Sequence, residues 1–213
     1  MLTHTGIKEI EIEQIAPRPF KNDDGGDMSI PCGILIFGAS GSGTTTIGRE
    51  LARLLDCTHI EIDDIFWQKT DPPFQTPVPL EQRKRDLLAA AQKAGRFVAS
   101  GSACGWDEAI LPFLRLGVFV QTATAIRIER LKKREYNDFG ERILPGGDMY
   151  ENHTEFLEWV AKYDDGGADM RSHALHEKWI EAAPCPILRV DGTRDVHDTA
   201  REIAGQAQLT VDK

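Results

Sequence analysis

One run of the chain, Gly38-Ala39-Ser40-Gly41-Ser42-Gly43-Thr44-Thr45-Thr46, carries the densest chemical signal in the sequence. Glycines at this spacing let successive backbone N–H groups curl around phosphate oxygens at the positive end of a helix. Gly38, Ser40, Gly41, Ser42, Gly43, Thr44, Thr45 and Thr46 are therefore the expected phosphate-binding set, and Thr45 stands where a magnesium-binding hydroxyl belongs. One residue departs from the pattern: Thr44 occupies the place of the lysine that contacts the β- and γ-phosphates. Losing one preorganised stabiliser of developing charge costs about 10²–10³ in rate. Either another cation substitutes or the chain binds phosphate without fast chemistry.

Such a loop works only when a buried strand delivers it and a helix follows. Ile34-Leu35-Ile36-Phe37 is a continuous apolar run, as in a strand covered on both faces of a parallel sheet, and a helix is expected from about 43 to 55. Further strands are expected at 59–62, 97–100, 117–120 and 187–190, with a helix at 80–94. About 65 residues separate the last two strands, more than a plain crossover needs. They read as a helix over 125–135, a glycine-containing loop, and two amphipathic helices over 150–163 and 168–182, split by Asp164-Asp165-Gly166-Gly167. The expected architecture is α/β: a five-stranded, mostly parallel sheet with helices on both faces. A helical lid is inserted at about 136–183 of a domain spanning 29–213. Residues 1–28 stand apart as an N-terminal extension, with Ile7, Ile10, Ile12 and Ile15 interleaved with Glu9, Glu11 and Glu13 before a Pro- and Gly-rich turn.

Strand, loop and helix, with the segments that follow, resemble the nucleoside-monophosphate-kinase-like branch of the P-loop proteins, which includes adenylate kinase, shikimate kinase and the topology modulation proteins. The resemblance spans about 30–205. It implies a three-layer P-loop NTPase fold, ATP and magnesium as cofactors, and transfer of the γ-phosphate to a small-molecule acceptor. It implies that Asp63, with Asp64 second, organises magnesium together with Thr45 or accepts the proton of the attacking hydroxyl; both aspartates also suit a helix N-cap. Arg127, Arg130 and Arg134 share a helix face by spacing. Arg130 and Arg134 are similar to the adenylate kinase arginines near the base and the transferred phosphate, although a solvated basic face with Lys132 and Lys133 explains them too. Arg142 is placed by position alone as a lid arginine over the nucleotide. If a cation replaces the absent lysine, Arg134 comes first, then Arg130 and Arg142. The segment Val190-Asp191-Gly192-Thr193 is similar to the stretch that cups adenine, which adds Gly192 and Thr193 to the cofactor-binding set; an ordinary Asp-Gly turn is the alternative. Ser100-Gly101-Ser102-Ala103-Cys104 resembles the turn that faces the acceptor. Phe66 and Trp67 either line a pocket there or belong to the core.

The remaining composition narrows the class. The 213 residues carry 25 Lys and Arg against 34 Asp and Glu, a net charge of −9, which disfavours broad nucleic-acid binding. No apolar run approaches the ~20 residues needed to span a bilayer. Cys32, Cys57, Cys104 and Cys185 form no Cys-x-x-Cys pair and fit packed thiols in a reducing cytoplasm. His173 and His176 share a helical face, but no third ligand accompanies them, so no metal is assigned there. Nucleotide and a small acceptor are the expected partners, without nucleic acid or membrane, and a homo-oligomer is compatible with the sequence. The alternative is a catalytically weak or inactive nucleotide-binding regulatory module, in which Thr44 records lost catalysis.

Overall fold

The computed structural model describes residues 32–211; the expected extension over 1–28 lies outside the described residues. The elements follow as β1 (Cys32–Gly38), α1 (Thr44–Leu54), β2 (Thr58–Glu61), α2 (Ile62–Phe66), α3 (Leu80–Ala94) and β3 (Arg96–Ser100). After them come β4 (Leu114–Gln121), α4 (Thr124–Phe139), α5 (Tyr150–Ala161), α6 (His173–Ala182), β5 (Ile187–Asp191) and α7 (Val196–Val211). The five strands form one sheet in the order β2-β3-β1-β4-β5, parallel throughout.

Alternation along the strands builds two apolar layers. Ile34 and Ile36, with Val98, Val118, Val120 and Val190, form one core cluster with Leu51 of α1 and Ala200 and Ile203 of α7. The intervening Phe37 points the other way, stacking on Phe119 at 5.3 Å and meeting Trp179 of α6 edge-on at 4.8 Å. The carboxyl ends of β1, β3, β4 and β5 then deliver the phosphate loop, Gly101, Thr122 and Gly192 to one edge, where ligands of open α/β sheets bind.

Several boundaries differ from the sequence reading, three of them near the site. The expected strand at 59–62 ends at Glu61, and Ile62 opens the short helix α2, which puts Asp63 in its first turn. Helix α4 runs on to Phe139 and stops at Gly140 (φ 57°), a left-handed residue after which the helix cannot continue. Helix α6 begins at His173 and not at 168, because Ser172 caps it by accepting from the Leu175 N–H at 3.0 Å. The chain before it, from Gly166 to Arg171, makes turns that lead into the helix.

Candidate phosphate and acceptor site

The phosphate loop is shaped by its glycines. Gly41 and Gly43 adopt φ of 80° and 105°, the left-handed region that side chains disfavour. Gly43 caps α1 without a side-chain hydrogen bond, so the first-turn N–H groups of Thr44, Thr45 and Thr46 face outward with no side chain claiming them. The Ser42 N–H donates to the Ala39 carbonyl at 3.1 Å and closes the curl. Ser40 and Thr44 are half-buried beside it.

Arg130 lies on this loop. Its guanidinium donates to the carbonyls of Gly41 (3.5 Å), Ser42 (3.4 Å) and Gly192 (3.0 Å), binding the phosphate loop to the β5–α7 turn. Those two segments touch so closely that a Cβ on Gly192 would stand 2.2 Å from the Ser42 carbonyl oxygen. Asp191 shapes the turn, accepting from both the N–H and the hydroxyl of Thr193 at 2.8 Å, and these bonds hold its carboxyl below the usual range. Gly192 and Thr193 thus meet the loop and Arg130 in one place.

The carboxylate beside Thr45 is Glu61. The Thr45 hydroxyl donates to one Glu61 oxygen at 3.5 Å, while Arg49 donates to the other at 2.6 Å. Sequence reading missed Glu61 because it sat inside a strand; the signal was Glu61-Ile62-Asp63, two acids flanking a fully buried apolar residue. Asp63 is exposed to solvent in the first turn of α2, yet the protein around it raises its carboxyl above the ordinary range. Enclosure by protein is the main cause; the Arg171 and Arg134 charges oppose it, and Glu61 and Asp64 add to it. Hard oxygen donors of this kind fit magnesium, which is commonly held by one or two carboxylates with phosphate oxygens and water. The described residues contain no group of three or more His, Cys, Asp or Glu able to cage a metal on its own.

The side where the sequence leads one to expect an acceptor is aromatic and basic. The Arg83 guanidinium lies 4.3 Å above Phe66 and 5.3 Å above Trp106, and its buried Nε has no hydrogen-bond partner among the described residues. Trp67 meets Phe66 edge-on at 4.7 Å. Trp106 is core, while Phe66 and Trp67 are half-buried. Arg134 is exposed and pairs with Glu135 at 3.8 Å. Arg171, in the turn before α6, sits 5.6 Å over Trp159 and was not singled out from sequence, since a loop arginine far along the chain carries no local pattern.

Two arginines of the sequence reading are engaged elsewhere. Arg142 is held by Asp148 at 2.9 and 2.7 Å and by Asp71 of the α2–α3 loop at 2.8 Å, so its guanidinium ties the insertion to that loop. Arg127 is fully buried, donating to the Thr122 carbonyl (2.9 Å), Thr124 (2.6 Å) and Asp164 (3.2 Å). Its role is to anchor the start of α4.

Comparison with known proteins places the chain in a family. The family model described as an AAA domain matches residues 34–157. The uncharacterized protein YqaC of Bacillus subtilis (strain 168) is 35% identical over 165 residues, which cover 78% of this chain and 91% of that one. Shikimate kinase 2 of Sodalis glossinidius is 29% identical over 132 residues, 58% of this chain and 76% of its own. A solved shikimate kinase from Acinetobacter baumannii, in complex with shikimate, is 20% identical with a TM-score of 0.49, covering 87% of this chain and 95% of that one. The chain belongs to the AAA-domain family of P-loop proteins, in its nucleoside-monophosphate-kinase-like branch.

Proposed function

We propose that the chain is an ATP-dependent phosphotransferase that moves the γ-phosphate to a hydroxyl of a small, anionic acceptor. The observation that carries this reading is the Thr45–Glu61 pair beside the uncapped start of α1, with Asp63 one helical step away. Backbone N–H groups from Gly41 to Thr45 hold the phosphates, and the Gly192–Thr193 turn with Arg130 receives the base. Thr45 and Glu61 would hold magnesium, which would supply neutralisation of the phosphate charge.

Asp63 accepts the proton of the acceptor hydroxyl; the new O–P bond forms at the γ-phosphorus as its bond to the bridging oxygen breaks, and ADP departs. A carboxyl raised above its usual range is the better base for this. Arg134, whose charge reaches Asp63, and Arg171 take over the electrostatic work of the lysine that Thr44 replaces. Arg83, with its unclaimed Nε on an aromatic bed, receives the acceptor's anionic group.

Calorimetry checks the nucleotide half. ATP should bind more tightly with magnesium than without, and Thr45→Ala should abolish that difference while leaving metal-free binding intact. Equal affinity with and without magnesium in the unmodified protein would overturn the assignment. Thr44 favours a second reading, a regulatory module that binds ATP without transfer; it is separated from the first by turnover, not by affinity.

A further inference from the structure

The sequence reading left His176 as one of a surface pair, and nothing in the proposed mechanism uses it. The structure buries it completely. Its Nδ1 lies 2.6 Å from the Tyr163 hydroxyl and its Nε2 lies 3.1 Å from the Ser102 hydroxyl. Tyr163 and Ser102 are buried too. Phe37 and Phe119 meet the imidazole edge-on at 5.4 and 5.7 Å, so its surroundings are otherwise apolar. An apolar residue would be cheaper at such a point, since buried polar groups stabilise only when fully paired.

We infer that His176 is a positioning residue, joining the lid helices to the acceptor-facing loop after β3 through a directed string of buried hydrogen bonds. Ser102 follows Gly101 in that loop. Tyr163 follows the end of α5 and lies under Arg127, whose guanidinium is 4.9 Å over its ring. Arg127 is tied to Asp164, and its own carbonyl oxygen would stand 2.7 Å from a Cβ on Gly41. One line of packed groups therefore runs from the phosphate loop through Arg127, Tyr163 and His176 to Ser102.

The protons along it have one direction. Burial, reinforced by the Arg171 and His173 charges and opposed by Glu177, holds the imidazole neutral, with its pKa pulled down to about 4. A neutral imidazole has one donor nitrogen and one acceptor. Burial also raises the Tyr163 hydroxyl well above its usual range, so it stays protonated and donates to Nδ1. Nε2–H then donates to the Ser102 hydroxyl, two residues before Cys104 in the same loop.

The role of the loop in turnover rests on the kinase reading; the geometry is tested without it. In the full chain, Cys104 is labelled with iodoacetamide and the rate read by peptide mass spectrometry, with Cys32, Cys57 and Cys185 as internal controls. Ser102→Ala and His176→Phe should speed labelling of Cys104 by about tenfold, because each leaves a buried group unpaired and promotes local opening, while the controls change by less than about twofold. His176→Gln, which can still donate to Ser102, should recover part of the loss. Nitrogen-15 NMR of the imidazole should show the neutral Nε2–H tautomer at pH 6. Unchanged labelling at Cys104, all four cysteines rising together, or an Nδ1–H or cationic ring at pH 6 would each overturn the inference. Ser102→Ala removes only a hydroxyl and carries the test if His176→Phe fails to fold. Absence of phosphate transfer to any acceptor would strike the kinase reading and leave these readouts as they stand.

Discussion

Asp63 shows how one carboxyl can cost stability and supply chemistry at once. Its folded pKa is raised, so the folded protein holds this proton to higher pH than the unfolded chain does. Stability therefore falls as pH rises from the unfolded value of an aspartate to the raised folded one, and the whole penalty is present at neutral pH. Asp63→Asn should accordingly melt at a higher temperature than the unmodified protein at pH 7, with the difference vanishing near pH 3, as read by thermal denaturation. The same substitution should lower transfer by about 10²–10⁴ if Asp63 is the base. At this scale the sequence was most legible where spacing is the signal: Gly38, Gly43 and Thr45 are recognisable because backbone geometry demands them at fixed offsets. Glu61, Arg83 and Arg171 were not, since their significance lies in partners brought close only by folding.

At the scale of elements, the base end of the site depends on the β5–α7 turn lying against the phosphate loop. Gly192→Ala places a methyl within 2.2 Å of the Ser42 carbonyl oxygen and 2.4 Å of the Thr122 hydroxyl, so the turn must move away. Nucleotide affinity should drop by about tenfold or more, as expected when a strained close approach is removed, and calorimetry with ADP would show it. Periodicity made α3 legible over Leu80–Ala94 without adjustment. It placed the start of α6 five residues early, because the apolar stripe continues through turns and the Ser172 cap is a polar signal easily passed over. The same limit applies to Arg142, which position alone put over the nucleotide and whose guanidinium pairs with Asp71 of the α2–α3 loop and with Asp148 of its own segment.

The whole molecule carries a charge of −9, so affinity for an anionic ligand must be built locally, as the proposed roles of Arg83, Arg130, Arg134 and Arg171 require. Buried His176 makes global stability sensitive to acid. Its folded pKa of about 4 lies below the unfolded 6.5, so the unfolded chain takes up a proton that the folded one refuses. This contribution is intact above pH 6.5 and is lost as pH falls toward 4; His176→Phe should flatten that slope in chemical denaturation followed from pH 7 to pH 4. The α/β class and the five strands were readable from apolar runs between turn signals, whereas the order β2-β3-β1-β4-β5 is a long-range property that no local pattern contains. The central claim is that this lysine-free loop still transfers phosphate. Phosphorus NMR of magnesium ATP with a pool of anionic hydroxyl acceptors, shikimate among them, tests it most directly. The account expects the γ-phosphate signal of ATP to give way to ADP and a new phosphate ester, with Asp63→Asn silencing the conversion. ATP that stays bound and intact, in a protein that turns over once Thr44→Lys restores the lysine, would contradict it.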